Sequence, residues 1–305
     1  MALTAQPVAV PARRGLPIFI PVEYWHLLSL DAPCVATLWA WSMAHALRIQ
    51  LPAGSLLILF LGTWLLYVAD RIFDGLRPGN SLRLRDRHLF YRVHRTAVIA
   101  ACIPVASLLA WLILLHMQVR ARRADALLFV FAAAYFALVH LRGCAIERWF
   151  PKELLVAVIA AAAIAEPAWA RLPSADPEAA VILAILAVCF ASVCWLNCVA
   201  IEKWEQPPEL QGRALAHLTD RTTQWGQRNF RLISTVLAVA AATAGGALFY
   251  SDQPVAAGLC IAGSISAILL ALLDQAYPAS GISAFHFRIA ADAALLTPIL
   301  LLLVR

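Results

Sequence analysis

Leu65-Leu66-Tyr67-Val68-Ala69-Asp70-Arg71-Ile72-Phe73-Asp74-Gly75-Leu76-Arg77 is the point at which a long apolar run, begun at Pro52, meets charge. Its first half reads as the end of a membrane-spanning helix and its second half as the polar cap on that helix. If the helix continues across the boundary, Asp70 and Asp74 lie one turn apart on one face, with Tyr67 three residues before Asp70 on the same side. Two carboxylates in that register can share a hard divalent cation. Mg²⁺ typically takes one or two carboxylates together with oxygens of a substrate phosphate. A hydrated helix end, where charge costs little, is the other reading of the same spacing.

The whole chain has this character. Of its 305 residues 62% are hydrophobic and 14% charged, whereas a soluble domain is roughly one quarter charged. Nine apolar stretches suit membrane spans: 32–47, 52–69, 97–117, 124–141, 154–170, 179–200, 232–250, 254–273 and 289–304. No barrel-like alternation is present, so the fold expected is all-α, an integral membrane bundle of about nine transmembrane helices. Residues 1–21 read as a flexible lead-in and 22–305 as one domain, capped on the inner side by loops 70–95, 142–153, 201–231 and 274–288.

Lys and Arg set the orientation. With the N-terminus inside, 18 of them fall on the inner side and six on the outer, as the positive-inside rule requires. The expectation is a multi-pass protein of the inner (cytoplasmic) membrane, N-terminus cytoplasmic and C-terminus opposite. The net charge of +6 is then a topology signal, and no nucleic-acid partner follows from it. No cleavable targeting segment is read at the N-terminus.

Along the chain, Val22 to Leu30, with Tyr24, Trp25 and His26, suits the headgroup layer. Asp31 is placed to cap the first span, with Pro33 in its first turn. Pro78-Gly79-Asn80 breaks the second span, and Ser81 can cap a basic surface helix, Leu82 to His94. That helix suits anionic lipid or a diphosphate. Glu166-Pro167 reads as a hydrated outer end, and Asp274 as an inner end beside a Tyr277-Pro278 turn. The sixth span ends in Asn197-Cys198-Val199-Ala200-Ile201-Glu202-Lys203-Trp204-Glu205, a second acidic helix end on the inner side. Asp292, about one turn into the ninth span, is a functional candidate by its depth, with Arg288 as its structural rival for a partner. The seven Cys read as small core residues, and the eight His are scattered without a ligand spacing.

At this constellation the chain resembles the UbiA-type intramembrane prenyltransferases, over most of its length. Leu30-Asp31-Ala32-Pro33 enters the first span, and Ala69-Asp70-Arg71-Ile72-Phe73-Asp74-Gly75 is similar to the distal half of the family's first motif, NDxxDxxxD. Asp70 and Asp74 fall on its second and third acidic positions, while Leu66 and Tyr67 stand where the family has Asn and its first Asp. In the second motif Glu202 and Glu205 stand in for aspartates. The resemblance implies a UbiA-like bundle and Mg²⁺-assisted transfer of a prenyl group from a prenyl diphosphate to a lipophilic aromatic or tetrapyrrole acceptor in the membrane lipid. It would place Mg²⁺ on Asp70 and Asp74, with a weaker second site on Glu202 and Glu205. Arg71, Lys152 and Arg213 or Arg221 would take the diphosphate, and Tyr67 would orient the acceptor. Asn197 and Asp292 are further candidates. The alternative is a non-catalytic lipid- or pigment-binding subunit of the same fold, suggested by the missing aspartates of the second motif. A transporter would spread polar residues through mid-membrane positions, where little besides Asp292 is found.

Overall fold

The computed structural model describes residues 20–76, 86–117, 119–141, 151–173, 175–206 and 220–302, and among these every regular element is helical. The elements are α1 (Ile20–Leu27), α2 (Asp31–Ala46), α3 (Ala53–Leu76), α4 (Asp86–Val93), α5 (Arg95–His116), α6 (Val119–Leu141), α7 (Lys152–Trp169), α8 (Pro177–Trp204), α9 (Arg221–Arg228), α10 (Phe230–Tyr250), α11 (Pro254–Ser280) and α12 (Ala284–Ala294), closed by a 3₁₀ helix at Thr297–Leu302. All nine apolar stretches coincide with helical elements. Among the described residues five helices, α3, α5, α8, α10 and α11, are long and apolar enough to cross a membrane, and a sixth crossing arises if α1 and α2 count as one bent span. Charge explains part of the difference from nine. α7 carries Lys152, Glu153 and Glu166 within its 18 residues. The ninth stretch is broken between α12 and the 3₁₀ helix.

α8 runs through the middle, packed against α7, α10, α11 and α12. Small residues permit close approach, since packing rather than water-driven burial holds helices together in lipid. Ala157, Ala161 and Ala165 recur every four residues along α7 and are buried. On α10 a β-carbon at Gly245 would lie 3.1 Å from the Ala257 carbonyl oxygen of α11. Trp39 of α2, fully buried, donates its indole N–H to the Leu295 carbonyl at 2.8 Å and so ties the first long helix to the last. α5 lies at the periphery and exposes Ile103, Trp111, Leu114 and Leu115, the surface expected to face acyl chains.

Between α1 and α2 the chain turns by 82°. Ser29 at the elbow has φ +56, a left-handed conformation costly for a residue with a β-carbon. Three contacts hold it: Trp64 Nε1 donates to the Leu28 carbonyl at 3.0 Å, Tyr91 Oη donates to Ser29 Oγ at 3.2 Å, and His26 pairs with Asp31.

The structure corrects three local expectations. Asp31 is the first residue of α2 instead of its cap, and its carboxylate is taken by His26. (The expected start of the basic surface helix at Leu82 lies outside the described residues, which take up α4 at Asp86.) α11 passes through Tyr277-Pro278 and ends at Gly281, whose φ of +63 supplies a left-handed terminus. Glu166 is no hydrated end. α7 continues past Pro167 to Trp169, and Glu166 is only 5% exposed, hydrogen-bonded to Asp125 of α6 with Arg171 nearby.

Candidate functional site

α3 extends six residues past Asp70, to Leu76, without a break, and Asp70-Arg71-Ile72-Phe73-Asp74 contains neither Pro nor Gly to interrupt it. Asp70 and Asp74 therefore share one helix face. α7 begins at the same end of the bundle with Lys152 and Glu153, and α8 arrives there with Glu202. Their convergence is registered by Lys152. Burial works against its ammonium, but the charges of Asp70, Asp74, Glu153 and Glu202 outweigh burial and hold its pKa above the ordinary value. The four carboxylates belong to three helices, and the described cations among them are Lys152 and Arg71. Arg71 is 6% exposed and holds Asp70 through Nη1 at 3.1 Å.

α9 closes over this mouth. Asp220 caps it, accepting from the Thr222 and Thr223 amides at 2.9 and 3.0 Å, while Thr223 donates its hydroxyl to Glu153 at 2.7 Å. Burial, and then a hydrogen bond shared with Asp220, push the Glu153 carboxyl up to about 7. Two carboxyl groups hydrogen-bond each other only with a proton between them. Asp70 and Asp74, one-turn neighbours on α3, and Glu202 at the same end of the bundle are hard oxygen donors of the kind that Mg²⁺ takes.

Deeper in the bundle is a second polar cluster. Tyr67 lies one turn before Arg71, whose guanidinium sits 5.6 Å from its ring centre. Its hydroxyl is in electrostatic range of Cys194 and Cys198 on α8 and of Asp292 on α12. Asp292 accepts from Asn197 Nδ2 at 3.0 Å, lies 3.7 Å from His26 Nδ1, and has Arg288 Nε at 4.0 Å. His26, Asn197, Arg71 and Arg288 are each less than a tenth exposed.

Asp70, Asp74, Lys152 and Glu202 are thus brought together at one mouth of the bundle, and Tyr67, Asn197 and Asp292 below it. Glu205 turns elsewhere: both its oxygens lie 3.3 Å from Arg288 Nη1. A metal shared with Glu202 would have to compete with that guanidinium. Arg221 opens α9 and is exposed, and Arg213 lies outside the described residues. Sequence reasoning set His26 aside. Its one signal was the five-residue spacing to Asp31 across a helix break, since its other partner, Asp292, is 266 positions away. Glu153, Asp220 and Thr223 were missed as well, because a Thr–Glu–Asp contact between distant segments has no spacing to reveal it. Compared with family models, curated proteins and solved structures, the chain matches none of them.

Proposed function

We propose that this chain is a divergent UbiA-type intramembrane prenyltransferase, a nine-span bundle with its N-terminus on the cytoplasmic side, transferring a prenyl group from a prenyl diphosphate to an aromatic or tetrapyrrole acceptor. The observation that carries the reading is the convergence of Asp70, Asp74, Glu153 and Glu202 on the buried Lys152, directly above an apolar interior. In this scheme Asp70 and Asp74 hold Mg²⁺, with Glu202 as a weaker further ligand, and the metal would neutralise charge on the departing diphosphate. Lys152 and Arg71 bind diphosphate oxygens, joined by Arg213 or Arg221 from the loop that leads into α9. Tyr67, placed between the mouth and Asp292, orients the acceptor. The apolar walls of α2, α8 and α11 exclude water from the allylic cation that forms as the C–O bond to diphosphate breaks. The new bond forms from the acceptor to that carbon, and the proton the acceptor gives up leaves with the departing diphosphate.

A second reading, a non-catalytic lipid- or pigment-binding subunit, is favoured by one observation: Glu205 of the second acidic helix end is engaged by Arg288. Binding of a non-hydrolysable prenyl diphosphate analogue to purified protein, with and without Mg²⁺, separates the two. Mg²⁺-dependent binding that vanishes in the Asp70→Ala plus Asp74→Ala double variant is the expected result. A folded wild-type protein that binds none of the analogue refutes the transferase.

A further inference from the structure

We propose that His26, Asp31 and Asp292 form a second cation site, separate from the mouth, for a first-row divalent metal that accepts an imidazole nitrogen. The three residues come from α1, α2 and α12, and one ligand atom from each lies within 4.8 Å of the others. Ligands about 2.1 Å from one ion sit roughly 3 to 4.2 Å apart; His26 Nδ1 is already 3.7 Å from Asp292, whereas the direct His26–Asp31 hydrogen bond would have to open by roughly an ångström to admit the ion. A nitrogen with two carboxylate oxygens favours Mn²⁺, Fe²⁺, Co²⁺ or Zn²⁺ over Mg²⁺ or Ca²⁺.

Charge points the same way. His26 is 5% exposed, and the Asp31 and Asp292 side chains are 17% and 18% exposed. Two carboxylates so placed need compensating positive charge. Among the described residues the nearby cation is Arg288, with its Nη1 on both oxygens of Glu205 and its Nε side toward Asp292, at 4.0 Å. What remains is met by a proton, on His26 or on a carboxyl, or by a metal.

An independent observation favours the metal. Asn197 is 5% exposed, its amide is packed on Asp292 through Nδ2, and its Oδ1 is buried with no hydrogen-bond partner among the described residues. A buried carbonyl oxygen without a partner is unfavourable by about 1–3 kcal/mol. In the proposed site this amide, held against Asp292, would supply the fourth donor. Protonating His26 gives Asn197 Oδ1 nothing. An ion here would tie the 82° elbow between α1 and α2 to the last helix, which also explains how the strained Ser29 is retained.

The proposal is independent of the prenyl diphosphate reading. Full-length protein in detergent is stripped with a chelator and titrated with Co²⁺ and, separately, Mn²⁺, in excess Mg²⁺ that occupies the carboxylate mouth. One Co²⁺ per chain that excess Mg²⁺ does not displace, with visible ligand-field bands, and an imidazole nitrogen coupling in the pulsed EPR spectrum of bound Mn²⁺, are expected. His26→Ala and Asp292→Asn should each weaken Co²⁺ at least about hundredfold, the upper range for changes one shell further out. The Asp70→Ala plus Asp74→Ala variant should bind it as wild type does. Folded wild type without bands, Mn²⁺ without nitrogen coupling, or Co²⁺ binding abolished by the Asp70 and Asp74 changes would overturn the site. The wild-type spectra decide even if the His26 variant does not fold.

Discussion

The acidic inner end of α8 owes its position to one buried carboxylate on α11. Asp274, 6% exposed, accepts two bonds from Lys203 Nζ at 2.8 and 2.9 Å and one from Trp204 Nε1 at 3.1 Å, flanked by Glu202 and Glu205 in sequence. Tyr277 adds a bond to the Trp204 carbonyl at 2.7 Å. The two partners of Asp274 differ in value. The Lys203 side chain is 37% exposed, so its ion pair ranks with surface pairs at about 0.2–1 kcal/mol. Trp204 is 2% exposed, and an indole N–H stranded there costs about 1–3 kcal/mol. Asp274→Asn removes the charge but keeps an acceptor for Trp204, and should lose about 1 kcal/mol or less. Asp274→Ala removes both and should lose about 1–3 kcal/mol more than Asn. Equilibrium unfolding in mixed SDS–detergent micelles measures the gap, and repeating it with Trp204→Phe should close it, because the N–H is then gone. Equal losses for Asn and Ala in the wild-type background would refute the assignment of the energy to Trp204.

Gly263→Ala places a β-carbon against Cys189 Sγ of α8 and 3.8 Å from the Trp39 ring. The overpacking, about 1–3 kcal/mol, should exceed the helix-propensity gain of about 1 kcal/mol. Thermal unfolding in detergent should therefore show net loss, recovered by adding Cys189→Ala; a stabilised Gly263→Ala would contradict the close α8–α11 packing. At the mouth, Glu153 is raised from an ordinary 4.5 to about 7 by burial and by Asp220. A raised folded-state value means the folded protein keeps a proton that the unfolded chain gives up. This contribution is full below about 4.5 and is lost as pH rises through about 7. Stability in Mg²⁺-free buffer should fall across that window, with the fall flattened in Glu153→Gln; a rise with pH would reverse the sign and sink the shared-proton assignment.

What could be read from the sequence was local. Asp70 and Asp74 share a face because of the helix period alone, and the boundary at Ala69 needed only a count of apolar residues. Lys152 was legible as a cation of the same site as Asp70, Asp74 and Glu202 through the resemblance alone, and Glu153 was not legible there, since spacing does not join α3, α7 and α8. Glu166 was misplaced for a definite reason. Pro167 reads as a stop, yet the helix runs through it, and the carboxyl that makes burial tolerable, Asp125, comes from another helix.

Hydropathy has a related blindness that accounts for the rest. α5 and α8 are almost equally apolar, with mean hydropathies of 2.6 and 2.7, yet 6% of one and 33% of the other is buried. In water the more apolar helix seeks the core. In lipid both surroundings are apolar, so apolarity carries no information about which helix is central. The polar residues carry it instead. Asn197 and Glu202 on α8, and Asp292 on α12, would be costly against acyl chains and so mark the faces that turn inward. α5, from Thr96 to Leu115, offers only Ser107 between its ends, and the hydroxyl of Ser107 returns to the Ile103 carbonyl of its own helix at 2.9 Å. Ranked by what each helix could not leave in lipid, α8 turns a face inward and α5 stays at the edge, as in the structure, where α11, with 56% of its apolar stretch buried, is the most enclosed of the five.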